Sequence, residues 1–202
     1  MVTAAADETG LALTPYVDAD WSLPARDLAW SCRRTAIHIA TGQVWYASQV
    51  IGNNSDGYLS FALTPDRGEG PRQLLDLISV CATILRQTVE AAEPAGRAFH
   101  FWGLSDPQGF AAMGALETIV HTYDIAAGLG SAWRPPDHLC APIVSRLFPH
   151  APTGDPSVVL LWCTGREAMD GRPRQRAQSG DQPDRGRVGW RWDGSVREDE
   201  MP

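Results

Sequence analysis

The sequence predicts a mainly α-helical fold: an up-and-down four-helix bundle with a small C-terminal helix and a β-hairpin. Three observations lead there. Four segments space their apolar residues by three and four, the period of a helix with one buried face. Glycine, proline and asparagine clusters stand between those segments as breaks. The composition, 44% hydrophobic and 20% charged over 202 residues, is that of one ordinary globular domain with room for a small appendage.

The first helical segment lies within residues 1–20, an apolar-acidic stretch broken by Pro15. A turn follows at Trp21–Pro24, because Pro24 biases Leu23 away from helical backbone. Ser31 can cap the second segment, Cys32 to Ile51, whose Ala36, Ile39, Val44, Ala47, Val50 and Ile51 keep helical spacing. Gly52-Asn53-Asn54 stops it. The polar connection from Ser55 to Gly70 has room for a short extended piece at Tyr58–Leu63.

Pro71 suits the first turn of the third helix, striped by Leu74, Ile78, Cys81, Leu85 and Thr88. That stripe offers no metal-ligating side chain, so the segment reads as structural. Glu93-Pro94-Ala95-Gly96 breaks the chain, Arg97 to Gly103 is short and aromatic, and Asp106-Pro107 opens a long helix to Gly128 with Asp as cap. The bundle is thus assigned to residues 1–135. After Pro135-Pro136 a smaller C-terminal extension, 136–202, carries a short helix at Asp137–Leu147. Its apolar run Val158–Cys163 suits a buried strand, with Val188–Trp192 as antiparallel partner and a mobile loop at about 167–187 between them.

Net charge is −7 and the pI near 5.1, the wrong sign for wrapping a phosphate backbone, so no nucleic-acid partner is expected. No apolar run approaches the roughly 18 residues of a membrane span, and Asp7 and Glu8 stand where a signal peptide needs positive charge. A cytoplasmic protein is expected. All 17 basic residues are arginine, which points to a GC-rich genome. Cys32, Cys81, Cys140 and Cys163 are widely separated and form no Cys-x-x-Cys pair. Cys81 and Cys163, each in an apolar run, read as small core residues, and Cys32 and Cys140 have no neighbour that would favour the thiolate, so no nucleophilic cysteine is expected. Trp21, Trp30, Trp45 and Trp102 are expected to pack the bundle.

The chemically informative stretch runs from Gly114 to Asp124. At about 100° per residue, Glu117, His121 and Asp124 fall in one narrow wedge, bordered by Met113, Leu116 and Val120 on one edge and Ile125 on the other. Polar groups rising from an apolar stripe need partners, because an unpaired buried carboxylate is costly. A divalent metal would satisfy Glu117 and His121 together, with His38 of the second segment as candidate third ligand. Three such ligands leave a tetrahedral ion one open position, as catalytic sites do. A buried Glu–His hydrogen bond, with His38 a satisfied core histidine, is the alternative that spacing leaves open. His100, His138 and His150 read as structural or solvent-facing. Protease, hydrolase-elbow and phosphate-loop motifs are absent.

Three stretches resemble a known family. They are Trp30-Ser31-Cys32-Arg33-Arg34-Thr35-Ala36-Ile37-His38-Ile39-Ala40; Gly103 to Gly114 running into Glu117 and His121-Thr122-Tyr123-Asp124; and Arg146-Leu147-Phe148-Pro149 with Leu160 to Arg166. On these the chain resembles the DinB-like superfamily, in the branch of the mycothiol-dependent maleylpyruvate isomerase N-terminal domain. The resemblance implies metal ligands at His38, Glu117 and His121 and zinc as the usual ion. It also implies mycothiol, the actinobacterial small thiol, as cofactor, bound as thiolate at the open position. The function implied is a metal- and mycothiol-dependent thiol transferase or isomerase acting on a small electrophilic substrate. Asp124 would orient His121 from behind or cap a neighbouring helix. The isomerase carries a substantial second domain, larger than residues 136–202 here, so thiol conjugation in general is the expectation rather than that isomerisation. A metal-dependent hydrolase on the same bundle and a non-catalytic ligand- or partner-binding bundle are the alternatives, and a homodimer is compatible with either.

Overall fold

The computed structural model describes residues 1–59, 61–66, 68–100 and 103–174. Six α-helices, a 3-10 turn at Thr14–Tyr16 and a two-stranded sheet make up its regular structure there. The bundle comprises α1 (Val2–Leu13), α2 (Cys32–Gly52), α3 (Pro71–Ala91) and α4 (Pro107–Gly128), and the extension adds α5 (Asp137–Leu147) and α6 (Pro156–Cys163). A short antiparallel pair, β1 (Ala98–His100) and β2 (Gly103–Ser105), joins α3 to α4 with Phe99 opposite Leu104.

The expected helix starts are built by the expected residues. The Ser31 side chain accepts the Arg34 N–H, and Asp106 accepts the Gly109 N–H at 2.6 Å. At the far end of α2, Asn53 takes a left-handed conformation and closes the helix.

Both α1 and α2 pack against α3 and α4, so the order around the bundle is α1, α3, α2, α4. The connection from α1 to α2 therefore spans a diagonal. It passes over the end of α4, where the Pro24 carbonyl lies so close to Gly128 that a Cβ there would collide with it.

Thr9 of α1 meets Thr122 of α4 hydroxyl to hydroxyl at 2.7 Å. Gln43 of α2 donates to the Gly114 carbonyl and the Thr118 hydroxyl of α4, each at 2.9 Å. Together with the Tyr46–Phe110 ring contact, the Gln43 bonds set α2 antiparallel to α4 and fix its register. That register brings His38 opposite Glu117 and His121.

One side of α4 (Ala111, Ile125, Ala126) joins the core of α1–α3, while Phe110, Met113, Ile119 and Val120 pack with α5 and α6. A helix covered on both sides is apolar nearly all round, so any polar group on it has a partner or a purpose.

The C-terminal strand expectation is corrected. Val158–Cys163 is helical, because Asp155 caps the Ser157 and Val158 N–H groups and Pro156 occupies the first turn. A short apolar run does not by itself distinguish a buried strand from a buried helix. Its expected partner, Val188–Trp192, lies outside the described residues, as do Trp102 and residues 175–187 of the expected loop. Residues 167–174 of that loop are docked rather than loose: Met169 pairs with Arg172, and the Arg174 side chain reaches the Gly165 carbonyl and Asp27. No strand forms among the described residues of 58–63. That connection is tied down by side chains of α2, Trp45 donating to the Phe61 carbonyl and Gln49 to that of Gly57.

Candidate metal centre

Glu117 stands between two imidazoles. Its Oε2 lies 3.3 Å from His38 Nε2 and 3.2 Å from His121 Nε2. One ligating atom from each of the three residues can be chosen so that all lie within 4.8 Å of one another. The imidazole rings meet edge to face, centroids 5.1 Å apart. Trp30 leans on the other side of His38 with centroids at 4.9 Å, and the Arg34 guanidinium lies over the Trp30 ring. His38 and Glu117 are half-buried, whereas His121 is buried. The centre thus opens on the His38–Glu117 side.

Behind His121 the chain is closed. Nδ1 of His121 is 3.0 Å from Oδ2 of Asp124, whose side chain has no solvent exposure. Arg166 grips the same carboxylate with two donors, Nε to Oδ1 at 3.2 Å and Nη2 to Oδ2 at 2.7 Å. Burial alone would push the Asp124 carboxyl up, but the Arg166 charge, followed by the bond to His121, holds it down at about 2. An ionised carboxylate only accepts, so the proton between the two residues sits on Nδ1 of His121.

That assignment decides what faces Glu117. With Nδ1 protonated, the neutral imidazole presents a lone pair at Nε2, and the Glu117 oxygen opposite also only accepts. Two lone pairs at 3.2 Å require something positive between them: a proton or a metal cation. Without a metal the proton serves. Burial opposes the charged imidazole, but the bonds to Asp124 and Glu117 outweigh it and raise His121 to about 8. Burial likewise opposes charge on Glu117, yet the hydrogen bonds from His121 and His38 hold it well below the usual carboxylate range.

The donor set also fits a cation. Two nitrogens and a carboxylate oxygen are borderline ligands suited to zinc. Donors about 2.0–2.1 Å from a tetrahedral ion lie ~3.4 Å apart, close to the two nitrogen–oxygen separations here.

His38, Glu117, His121 and Asp124 are therefore brought together, and Asp124 points at His121 rather than capping another helix. His100 is buried beside Tyr46 and Tyr58 at the other end of α2, and His138 and His150 are exposed. All four cysteines are buried and unbridged. Burial pushes the thiols of Cys32 and Cys81 up to about 11 and those of Cys140 and Cys163 to about 12. Sequence reasoning did not find Arg166. It stood within the Leu160–Arg166 stretch of the resemblance without a role, next to Gly165, whose left-handed backbone (φ 70°) turns the chain back toward α4.

The sequence model of the mycothiol maleylpyruvate isomerase N-terminal domain matches residues 2–126, more than half of the chain and the stretch that holds His38, Glu117, His121 and Asp124. Searches of curated proteins and of solved structures find no match.

Proposed function

The chain belongs to the mycothiol maleylpyruvate isomerase N-terminal domain family, and on that premise we propose that it is a metal- and thiol-dependent transferase or isomerase for small electrophiles. The observation that carries this reading is the convergence of the two imidazole Nε2 atoms on Glu117 Oε2, with the His121 lone pair facing the carboxylate. His38, Glu117 and His121 would hold a divalent cation, zinc by donor type. Bound there, such an ion would keep a small thiol in its reactive thiolate form at neutral pH.

The chain's own residues do the rest. Glu117 contributes the single negative charge of the donor set. Asp124 holds His121 with its Nε2 lone pair forward, and Trp30 walls one side of His38 against water. No cysteine of the chain offers a thiolate, since all four are buried with raised values. The nucleophile must therefore come from outside, as mycothiol in a chain of this family. The thiol and its electrophilic partner would enter through the half-exposed His38–Glu117 side.

The test loads metal-free protein with zinc and follows consumption of mycothiol against a panel of activated alkenes, halides and glycosyl donors. Conjugation or thiol-dependent isomerisation that requires zinc and disappears in His121→Ala supports the proposal. Zinc-dependent hydrolysis of amides without thiol would replace it with a hydrolase. No zinc-dependent turnover of any kind would leave a binding bundle.

A further inference from the structure

We propose that Arg166, on the segment after α6, is a positioning residue for this centre: it holds the Asp124 carboxylate against Nδ1 of His121, and so fixes which nitrogen of His121 faces Glu117. The residue lies beyond the 2–126 stretch that carries the family match, so the extension would complete a centre whose ligands all sit in the bundle.

Three features place the guanidinium. The end of α6 closes with Arg166 N–H to the Leu161 carbonyl at 2.7 Å and Gly165 N–H to that of Trp162 at 3.0 Å. This is the paired-bond helix ending that a left-handed glycine allows, and it aims residue 166 back at α4. Nη1 of Arg166 then donates to the Thr164 carbonyl at 2.7 Å, leaving Nε and Nη2 for Asp124. The next residue, Glu167, is held by the Tyr123 hydroxyl and by both terminal nitrogens of Arg134 at 2.8 Å. Arg166 is thus gripped on both sides, with little freedom to leave Asp124.

The consequence is a choice of tautomer. Asp124 Oδ2 receives both Arg166 Nη2 and His121 Nδ1. With the guanidinium in place the carboxylate is held in line with Nδ1 and accepts its N–H, which leaves the Nε2 lone pair toward Glu117. Without it, nothing holds the carboxylate in line with Nδ1, and the neutral imidazole is free to carry its proton on Nε2, where the Glu117 carboxylate accepts it. His121 would then present Nε2–H, which cannot ligate a metal.

Because this inference rests on the metal reading only for the purpose of that lone pair, its test has a metal-free arm. Nitrogen-15 histidine spectra of the metal-free full chain at pH 9, where His121 is neutral, should show the Nδ1–H tautomer. Arg166→Met should populate Nε2–H and weaken zinc binding ~10–100-fold, the usual cost of removing the support behind a ligand. Arg166→Lys, which keeps the charge and loses the fork, should fall between and serves if Arg166→Met does not fold. A folded variant, by circular dichroism, with wild-type tautomer and wild-type zinc affinity but a lowered melting temperature would overturn the proposal and make Arg166 a structural staple. If wild-type protein binds no zinc, the metal reading fails, and the tautomer alone decides the role of Arg166.

Discussion

Replacing Asp124 by asparagine removes one charge and almost no volume, so its effect isolates the electrostatics behind His121. Asp124 has no solvent exposure, and its partner Arg166 is 8% exposed. Neutralising one member of such a pair leaves a buried cation unpaired, at about 3–5 kcal/mol. The carboxyl's own acidity gives a second measure: held at about 2 rather than near its ordinary 3.8, it contributes ~2.5 kcal/mol at neutral pH. The two agree on roughly 3 kcal/mol, a melting-temperature loss of ~6–12 °C for a chain of this size. The pH dependence has a definite sign. A depressed carboxylate stabilises above its unfolded value and loses that contribution as pH falls through its folded one. The gap between wild type and Asp124→Asn should therefore be widest between about pH 4 and 6.5, narrow as pH approaches 2, and shrink again as pH rises through about 8, where His121 gives up the proton that Asp124 helps to hold. Urea unfolding of metal-free protein across that range reads both quantities. A gap below about 0.5 kcal/mol at pH 7, within the range of ordinary surface substitutions, would refute the claim that this pair is buried and mutually dependent.

Three further outcomes are expected. In Glu117→Gln the His121 imidazole loses an anionic partner, so NMR titration should place it below its wild-type value of about 8. An unchanged value would show that Glu117 does not hold the proton. Zinc affinity of the wild type should rise with pH up to about 8, because below that point His121 must release a proton to the buffer before Nε2 can ligate, and level off above; calorimetry in several buffers should detect the released proton below that point, and a flat profile would exclude His121 as a ligand. None of the four cysteines should react with a thiol reagent in the native chain, while all four react in urea. A fast-reacting thiol would mean that the chain carries a nucleophile of its own.

The sequence made the centre legible where local rules apply. The Glu117–His121–Asp124 wedge needs only the 3.6-residue period of one helix, and the Ser31 and Asp106 caps mark where α2 and α4 begin. His38 could be nominated because it is the one histidine in the facing segment, but its meeting with Glu117 depends on the α2–α4 register set by Gln43. Arg166 was not legible for a related reason: its meeting with Asp124, 42 residues away, depends on how the end of α6 turns back toward α4. The strand assigned to Val158–Cys163 failed because its apolar pattern outweighed Asp155-Pro156, a helix start of the same kind as Asp106-Pro107. The β1–β2 pair was hidden because its two strands have three residues each, too few for alternation to register.

The central claim is that one cation belongs between His38, Glu117 and His121. Calorimetric titration of zinc into metal-free protein tests it most directly, comparing wild type with the His38→Ala/Glu117→Gln/His121→Ala variant. The account predicts about one zinc per wild-type chain and none for the folded triple variant. Zinc uptake that is equal in the two, or absent from both, would contradict it.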